Sequence, residues 1–532
     1  MKRWNGWGDS AIAFPLAESV IPYLTSVIGE GQRIPDASLD EVIAAIPDSR
    51  VPDHPLITPE PMDRLTHARG QSLPDWIALR SGRIGSYPDG ISYPSTDDQV
   101  SELIDFAYKN QVRLIPYGGG TSVVGHINPL PGETPILTID LSQLNEFLDF
   151  NEVNRLAFFG AGARGPHIES QLNKIGYTLG HFPQSFEYST LGGWIATRSS
   201  GQQSYYYGRI EDLFAGGHIE TPIGPLELPT IPASAAGPDI RHFILGSEGR
   251  IGIITRAAVR IRPLPSSEAF YGVFFRNWDA GVNAVKKLAR TTLAISMLRL
   301  SDARETETTL ILSGKERLIE WANRGLKLFS YGPGKCLLIF GVTGDYQSVK
   351  WAKRHALSII RKCGGLSTGR TIGNIWEKSR FTTPYLRNTL WERGYAVDTL
   401  ETAMNWSVIN QAAFDIMHTM ENALEHLNER ILVFSHLSHM YTDGASVYIT
   451  YIFRRSRDPD ETLQRWSLIK EAASYKIIEH LGTISHQHGV GYDHAPYLEN
   501  EKSKTGISAL SCLMHHFDPE SLLNPGKLIS QE

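Results

Sequence analysis

Residues 116–125 read PYGGGTSVVG and follow the apolar run VRLI, so a predicted strand leads directly into three consecutive glycines. Glycine tolerates positive φ and has no side chain, which lets backbone N–H groups approach an anion closely. Thr121 and Ser122 add hydroxyl donors that suit a pyrophosphate. The stretch lacks both the GK[ST] of a P-loop and the GxGxxG of a Rossmann fold. A tight turn between strands is the alternative interpretation at this point.

Two later stretches favour the anion-binding interpretation. Residues 182–208 contain the turn Thr190-Leu191-Gly192-Gly193, followed at short spacing by Thr197, Ser199 and Gly201. Residues 246–255, GSEGRIGIIT, give a third glycine-bearing turn before a strand. Small residues and hydroxyls in this order predict a surface that wraps a dinucleotide closely.

Composition sets the class of protein. A chain of 532 residues is too long for one core, so we expect two or more domains. The 51 Lys and Arg against 57 Asp and Glu give a net charge of −6, which argues against a nucleic-acid partner. Cys336, Cys363 and Cys512 form no CxxC pair or disulfide framework, and no run reaches the ~18 apolar residues of a membrane span. We therefore expect a cytoplasmic protein.

The alternation of elements predicts an α+β fold. Residues 1–85 read as an N-terminal helical segment, and 86–265 as a nucleotide-binding domain in which strands, helices such as DQVSELIDFAYKN and glycine turns alternate. Residues 266–484 mix strands with long helices and are predicted to form an α+β cap domain. Residues 485–532 are rich in turn-forming residues and are expected to contact the active site and the nucleotide-binding domain.

The three glycine-bearing stretches and the closing LLNPGKL resemble, in order, the flavin-binding stretches of the vanillyl-alcohol-oxidase/PCMH superfamily, in which FAD lies between two α+β subdomains. Within it, RWNGWGDS, MLRLSD, YLRNTLWERGYAVDTLETAMNW and SHQHGVG resemble the alkyldihydroxyacetonephosphate synthases. The resemblance implies a two-subdomain PCMH-type FAD-binding domain. Covalent attachment of FAD is not evident, because the one candidate, His126 just after the first glycine stretch, also reads as an uncoupled loop histidine, so non-covalent FAD is expected. The implied FAD contacts are Pro116, Gly118, Gly119, Gly120, Thr121, Ser122, Thr190, Gly192, Gly193, Thr197, Ser199, Gly201, Glu248, Gly249 and Ile254.

This resemblance also implies a redox-neutral reaction in ether-lipid biosynthesis. Acyl-dihydroxyacetone phosphate loses a C1 proton, its C1 joins flavin N5, the fatty acid leaves, and a fatty alcohol takes its place. Such chemistry requires a phosphate anchor, a proton-transfer group near C1 and an apolar channel for long chains.

Two arginines match substrate-binding positions of these enzymes. Arg387, in YLRNTL, matches the arginine associated with substrate phosphate, and a planar guanidinium suits a dianion. Arg299, in MLRLSD, matches a catalytic position beside the flavin. From the residues alone, Arg387 is also consistent with a solvent-facing helix, and Arg299 with an ion pair inside the cap.

Tyr448, in ASVYITYIF, matches the catalytic tyrosine that serves as an acid or base at C1. The ordinary pKa of a phenol is ~10, so a base at neutral pH needs nearby cations, which Arg299 and the histidines are expected to supply. Tyr451 competes for this role, and a strand tyrosine that only packs its ring is the structural alternative.

Residues 485–491, SHQHGVG, carry the remaining candidates. The related enzymes have three successive histidines before GVG, whereas Gln487 stands between His486 and His488 here. Both histidines are predicted to be catalytic, with His488 closest to the chemistry. Two histidines without a neighbouring Cys or carboxylate make a poor zinc set, so no metal is predicted. Gln487 cannot take up a proton, which leaves open how much of the three-histidine function survives.

Two other functions stay open. A FAD-dependent D-2-hydroxy-acid dehydrogenase or oxidase typically carries a GHxGDGNxH-like stretch, whereas SHLSHMYTDGASVYITYIF keeps Asp443-Gly444 but lacks the Asn and final His. His436 and His439, three residues apart on a strand, are predicted to face opposite sides, which disfavours a shared metal. The third hypothesis is an inactive flavin-binding protein.

Peripheral membrane contact is a further expectation, because the substrates carry fatty chains. Residues 315–328 and 350–362 are basic amphipathic segments that suit an anionic bilayer surface. An ordinary solvated helix face is the alternative for each segment. For assembly, a homodimer is the working hypothesis.

Overall fold

In the computed structural model, which describes residues 2–312, 326 and 331–530, two sheets form the half of the molecule that carries the three glycine turns. One consists of β1 (Ile57–Thr58), β2 (Gly90–Ser92), β3 (Arg113–Tyr117) and β4 (Ile136–Asp140), in the order β1-β2-β4-β3. The other consists of β5 (Phe147–Asn151), β6 (Leu156–Gly160), β8 (Phe214–Glu220), β9 (Leu226–Leu228) and β10 (Ile253–Arg260), in the order β5-β6-β10-β8-β9. A short ribbon pairs β7 (Tyr177–Thr178) with β11 (Arg262–Pro263).

Helices cover these sheets through apolar faces. Helix α5 (Asp97–Asn110) begins where the Thr96 side chain accepts a hydrogen bond from Gln99 N–H. Its buried face is an apolar stripe of Val100, Leu103, Ile104 and Ala107, within the stretch predicted to be helical. Helix α7 (Leu191–Thr197) begins at the second glycine turn and packs on the second sheet. The other helices of this half are α6 (Gly165–Lys174), α8 (Ser204–Tyr207), α9 (Ile210–Leu213) and α10 (Arg241–Ile244).

A seven-stranded antiparallel sheet forms the cap. Its strands are β12 (Ser267–Phe275), β13 (Ile295–Ser301), β14 (Cys336–Gly344), β15 (Leu366–Gly369), β16 (Tyr395–Asn405), β17 (Leu432–Met440) and β18 (Gly444–Arg454), in the order β15-β12-β14-β13-β17-β18-β16. One face packs on α11 (Trp278–Ala289), α13 (Tyr346–Lys362), α16 (Ile409–Asn422) and α17 (Pro459–Glu479). The other face of the sheet faces the glycine turns. The helices beside this face are α12 (Ala303–Leu312), α14 (Thr371–Ser379) and α15 (Leu386–Glu392).

The N-terminal segment connects both halves. Helix α1 (Val20–Ile28) packs against β17 and β18, and α4 (Leu73–Ser81) joins the apolar core of the cap, whereas β1 extends the first sheet. Between them, α2 (Leu39–Ala44) and α3 (Pro61–Thr66) share a smaller cluster.

The C-terminal segment returns to the glycine turns. After α17 the chain forms the loop that contains residues 485–491, then α18 (Leu498–Phe517). Residues 522–524 lie beside β3, where Leu114 N–H donates to Leu522 O (2.8 Å) and Asn524 N–H donates to Leu114 O (2.7 Å). The predicted α+β class is confirmed.

Candidate active site

A cavity of about 520 Å³ lies between the glycine turns and the polar face of the cap sheet. Its wall includes every predicted FAD contact except Gly201, which packs on the backbone of Phe182 instead. The cap contributes Arg299, Arg387 and Tyr448, and the C-terminal loop contributes Gln487 and His488. The cavity therefore joins residues from all parts of the chain that the sequence singled out.

The three consecutive glycines serve different purposes. Only Gly120 has a left-handed backbone, with a φ of 68°. A Cβ at Gly118 would lie 2.2 Å from Thr190 Oγ1, and one at Gly119 would lie 2.0 Å from Tyr188 O. These two glycines thus allow the first and second turns to pack directly together, while Gly120 makes the bend.

The predicted hydroxyl donors are partly used inside the protein. Thr197 Oγ1 donates to Gly193 O (2.9 Å), so its hydroxyl cannot donate to a phosphate at the same time. Ser122 Oγ pairs with His126 Nδ1 (2.8 Å), and Ser199 Oγ pairs with His181 Nε2 (2.7 Å). The hydroxyls therefore shape the turns as much as they offer contacts to a ligand.

Several buried polar atoms of cavity-lining residues have no partner within the described protein, as expected for a site that receives a polar cofactor. They are Ser200 Oγ, Gln202 Oε1, Asn524 Oδ1 and two guanidinium nitrogens of Arg387. Together with the bend at Gly120, these atoms fit a dinucleotide.

Two buried carboxylates hold the loop of residues 485–491. Glu401 Oε1, on β16, lies 2.9 Å from the backbone nitrogens of His486 and Gln487 and 3.0 Å from that of His488. Glu248, in the third glycine turn, accepts from the N–H groups of Val490 (2.6 Å) and Gly491 (2.8 Å). Consecutive N–H groups that converge on an anion form a backbone nest, so the cap holds one end of the loop and the glycine turns hold the other.

The two predicted histidines differ in position. His488 lines the cavity, and its ring meets that of Tyr448 edge-on at 5.6 Å. His486 lies behind the wall, where its Nε2 is 2.6 Å from Tyr441 Oη and 3.1 Å from Arg209 Nη1. Burial lowers the pKa of both imidazoles, so both are neutral at pH 7.

Tyr448 faces the cavity, and its hydroxyl donates to Thr399 Oγ1 (3.1 Å). The expectation that cations lower its pKa is wrong, because burial raises the pKa to about 12 and the contribution of Arg299 is minor. Tyr448 is therefore a protonated phenol at neutral pH. Tyr451 lies in the apolar core on the other face of the sheet and donates to Asp398 Oδ2 (3.1 Å).

Arg299 both forms an ion pair and lines the cavity. Its Nη2 lies 2.8 Å from Glu305 Oε1, and His436 Nδ1 lies 2.9 Å from the same oxygen. Burial would raise the pKa of Glu305, but His436 and Arg299 hold it well below its usual range. The His436 ring in turn stacks on Tyr448, with ring centroids 5.0 Å apart.

Arg387 is half-buried, with 16% of its side chain exposed, and its guanidinium lines the cavity instead of lying on a solvent-facing helix surface. Its guanidinium carbon lies 4.3 Å from the ring centroid of Trp76, and its Nη1 donates to Gln71 O. The nearest carboxylate oxygen, Asp398 Oδ1, is 3.9 Å from Nη2. Since Nε and Nη2 have no hydrogen-bond partner among the residues that the structure describes, the guanidinium keeps two donors for an anion.

His436 and His439 do not face opposite sides as predicted, since both line the cavity. A register shift between Ser438 and Met440 interrupts the pairing of β17 with β18 at His439. The extra residue breaks the alternation of side chains on which the prediction relied. Within the described ranges, no group of three or more His, Cys, Asp or Glu side chains is placed to hold a metal ion.

Sequence inspection missed the residues that position these side chains. Glu401, Glu305, Arg209 and Trp76 were not singled out, because the partners that they position, such as His436 for Glu305, lie far away in the sequence. Glu248 lines the cavity as expected, and both of its carboxylate oxygens also accept hydrogen bonds from the C-terminal loop, which was not expected.

The structure describes one of the two candidate membrane segments in full and almost none of the other. Residues 350–362 belong to α13, on the face of the cap sheet opposite the cavity. Residues 315–328 fall, apart from Leu326, outside the described residues. Across the part of the chain that the structure describes, no helix combines the length and the apolar character needed to cross a bilayer.

Comparison with known proteins gives concordant matches. Residues 88–226 match the family described as "FAD binding domain", and residues 264–528 match "FAD linked oxidases, C-terminal domain". The alkyldihydroxyacetonephosphate synthase of Dictyostelium discoideum is 31% identical over 99% of this chain and 93% of that protein, and the Trypanosoma brucei brucei enzyme of that name is 27% identical over 99% and 92%. A solved alkyldihydroxyacetonephosphate synthase structure covers 98% of both chains at 27% identity, with a TM-score of 0.84.

Replacing Glu401 by Gln should loosen the loop. The amide group would present an NH₂ where Glu401 Oε2 now lies 2.9 Å from His486 N–H, so two donors would face each other. We expect the free energy of unfolding to fall by about 2 kcal/mol, measured by urea denaturation. Glu392→Gln, at an exposed position on α15, is the matched control, and equal stability of the two variants would contradict this role.

Acid should destabilise the fold through His181. Burial lowers its pKa from 6.5 to about 3, so the folded imidazole stays neutral while the unfolded chain binds a proton below pH 6.5. The free energy of unfolding should therefore fall by about 2 kcal/mol between pH 7 and pH 5 from this group. His181→Gln should remove that part of the pH dependence, and His355→Gln, at an exposed position on α13, should retain it. An unchanged slope in His181→Gln would refute the assignment.

Proposed function

The chain belongs to the FAD-linked oxidase family with a PCMH-type FAD-binding domain, and on this basis we propose that it exchanges the acyl chain of an acyl-dihydroxyacetone phosphate for a fatty alcohol. The observation that carries the proposal is Arg387, whose guanidinium lines the cavity with two buried nitrogens that lack a hydrogen-bond partner among the described residues. A phosphate dianion is the ligand that such a group suits best.

FAD is proposed to lie in the cavity without a covalent bond. Its pyrophosphate would approach the turn that contains Gly120 and Thr121, whereas Asn524 Oδ1 and Gln202 Oε1 remain to accept from N–H or O–H groups in other parts of FAD. Bound there, FAD supplies a ring system that takes up and returns the substrate's electrons, so the exchange needs no outside oxidant. His126 is engaged by Ser122 on one side and lies 3.0 Å from Glu248 on the other.

Proton transfer at C1 is proposed for the facing pair His488 and Tyr448. The neutral imidazole of His488 can accept a proton, whereas the phenol of Tyr448 can donate one. Their rings are 5.6 Å apart, and both reach the cavity. Arg299, held by Glu305, lines the cavity and can donate hydrogen bonds to an anionic state of the substrate.

An apolar part of the cavity suits the long chains. It is formed where α12 and α15 meet the cap sheet, and its side chains are Leu312, Leu386, Leu390, Val397, Phe434 and Ile452. Burying a chain of methylene groups here contributes about 0.8 kcal/mol per group, which favours fatty substrates over short ones.

A D-2-hydroxy-acid dehydrogenase is the second candidate. The observation in its favour is that His436 and His439 share the cavity. One assay with two mixtures separates the two functions. Purified holoenzyme is incubated either with acyl-dihydroxyacetone phosphate and hexadecanol, or with a 2-hydroxy acid and an electron-accepting dye. The proposal predicts alkyl product in the first mixture and no dye reduction in the second, and the reverse pattern would refute it.

Two variants should separate binding from chemistry. Tyr448→Phe should lower kcat at least 100-fold while FAD remains bound, because it removes the proton donor. Arg387→Met should raise the KM for the phosphorylated substrate 10-fold or more, since a charged hydrogen bond is lost. Arg393→Met, at an exposed position next to α15, is the control for charge. Wild-type kinetics in Tyr448→Phe would remove that residue from the mechanism.

A further inference from the structure

A second cavity lies where the N-terminal segment meets α4, α15 and the start of α17. Its volume is about 390 Å³, which is within the range of small-molecule sites. The described residues that line it are all different from those that line the catalytic cavity. They include two carboxylates, Asp36 and Glu41, and four arginines. The arginines are Arg80, Arg83, Arg455 and Arg457.

Arg455 is buried, with 7% of its surface exposed. Its guanidinium carbon lies 3.9 Å from the ring centroid of Trp391, and its Nη2 donates to Ile34 O (3.3 Å). Its Nη1 is buried and has no hydrogen-bond partner among the described residues. Asp36 Oδ1 is 4.0 Å from that nitrogen, which is too far for a hydrogen bond. Arg455 therefore keeps a donor that no described residue accepts.

The carboxylates of the cavity are already engaged. Arg80 Nη1 lies 2.7 Å from Asp36 Oδ2, and Trp391 Nε1 donates to Asp36 Oδ1 (3.1 Å). Glu41 accepts from the backbone N–H and the hydroxyl of Ser38, at 3.0 and 2.8 Å. Two buried guanidinium groups thus share the carboxylate of Asp36. A buried charge without a full partner is costly, and a bound anion would remove that cost.

Two further arginines lie at the exposed side of the cavity. Arg83 Nη1 is 2.9 Å from Asp460 Oδ2 and 3.8 Å from Asp458 Oδ1, and all three side chains are more than half exposed. Arg457 is exposed and donates to Gln32 Oε1 (3.3 Å). Exposed pairs of this kind contribute little, so both guanidinium groups can turn toward an anion that enters the cavity.

We propose that this second cavity binds a phosphate group, with Arg455 as its buried donor and the two exposed arginines at its entrance. A phosphate group presents three strong acceptor oxygens, so it can accept from the buried and the exposed guanidinium groups at once. Ile34, Pro35 and Ile77 offer apolar contacts to the molecule that carries the phosphate. That molecule is either a free metabolite or a lipid headgroup. Because the site is separate from Arg387, it does not depend on the proposed exchange reaction.

Calorimetric titration with inorganic phosphate tests the site in Arg387→Met holoenzyme, which lacks the arginine proposed for substrate phosphate. One saturable site should remain, with a Kd of about 1 mM or lower. Adding Arg455→Met should weaken the binding of phosphate about 10-fold or more, because a charge-assisted hydrogen bond is lost. Arg361→Met, at an exposed position on α13, is the control for charge and should leave the affinity unchanged.

The melting temperature gives a second readout. Phosphate should raise the Tm of Arg387→Met holoenzyme, since it binds the folded protein, and Arg455→Met should abolish that rise. If Arg455→Met does not fold, Arg455→Lys takes its place. Lysine keeps the charge but lacks the planar fork and its stacking on Trp391, so it should also weaken the binding of phosphate.

The same variants distinguish the two sources of the phosphate. Glycerol 3-phosphate is compared with phosphatidylcholine vesicles that contain or lack phosphatidic acid. Stronger Arg455-dependent binding to phosphatidic acid identifies a lipid headgroup, and stronger binding of glycerol 3-phosphate identifies a free metabolite.

Two results would overturn the proposal. One is an Arg387→Met holoenzyme that binds no phosphate, and the other is an Arg455 variant that binds phosphate as tightly as its parent. Formation of alkyl product is measured separately on wild type, so a failure of the proposed function is distinguished from a failure of this site.

Discussion

The active site depends on two carboxylates that are buried in different halves of the molecule and hold one loop between them. Removing a carboxylate from water costs several kcal/mol unless hydrogen bonds replace its hydration. Glu401 and Glu248 recover that energy from backbone N–H groups of residues 486–488 and 490–491. Because neither carboxylate is fully satisfied without the loop, the cap, the glycine turns and the C-terminal segment are stabilised together.

This arrangement sets the electrostatics of the cavity. The histidines are neutral at pH 7 and Tyr448 is protonated, since burial disfavours the charged form of each group. The charge of Arg299 is balanced by Glu305 at 2.8 Å, whereas Arg387 lies on the face of Trp76, donates to Gln71 O and has its carboxylate neighbour, Asp398, at 3.9 Å. The cavity thus combines an arginine that can bind an anion with neutral groups that can exchange protons, which is what the proposed exchange reaction requires.

Sequence alone predicted the features that depend on local chemistry. The strand before Gly118, helix α5 and the α+β class follow from glycine positions and hydrophobic periodicity, and the structure confirms them. Features that depend on pairing between distant segments were not accessible. The bulge that turns His439 into the cavity requires the register of β17 against β18, and the role of Glu401 requires a loop 85 residues away in the chain. The pKa of Tyr448 was expected to fall because only its charged neighbours were considered, whereas burial dominates.

The most direct test of the account is an anaerobic absorbance titration of the FAD-bound protein. Addition of acyl-dihydroxyacetone phosphate alone should bleach the flavin band without any electron acceptor. Addition of a fatty alcohol should then restore the band while alkyl product appears. A flavin that is untouched by this substrate, but is lastingly reduced by a 2-hydroxy acid, would contradict the central claim and assign the cavity to dehydrogenation.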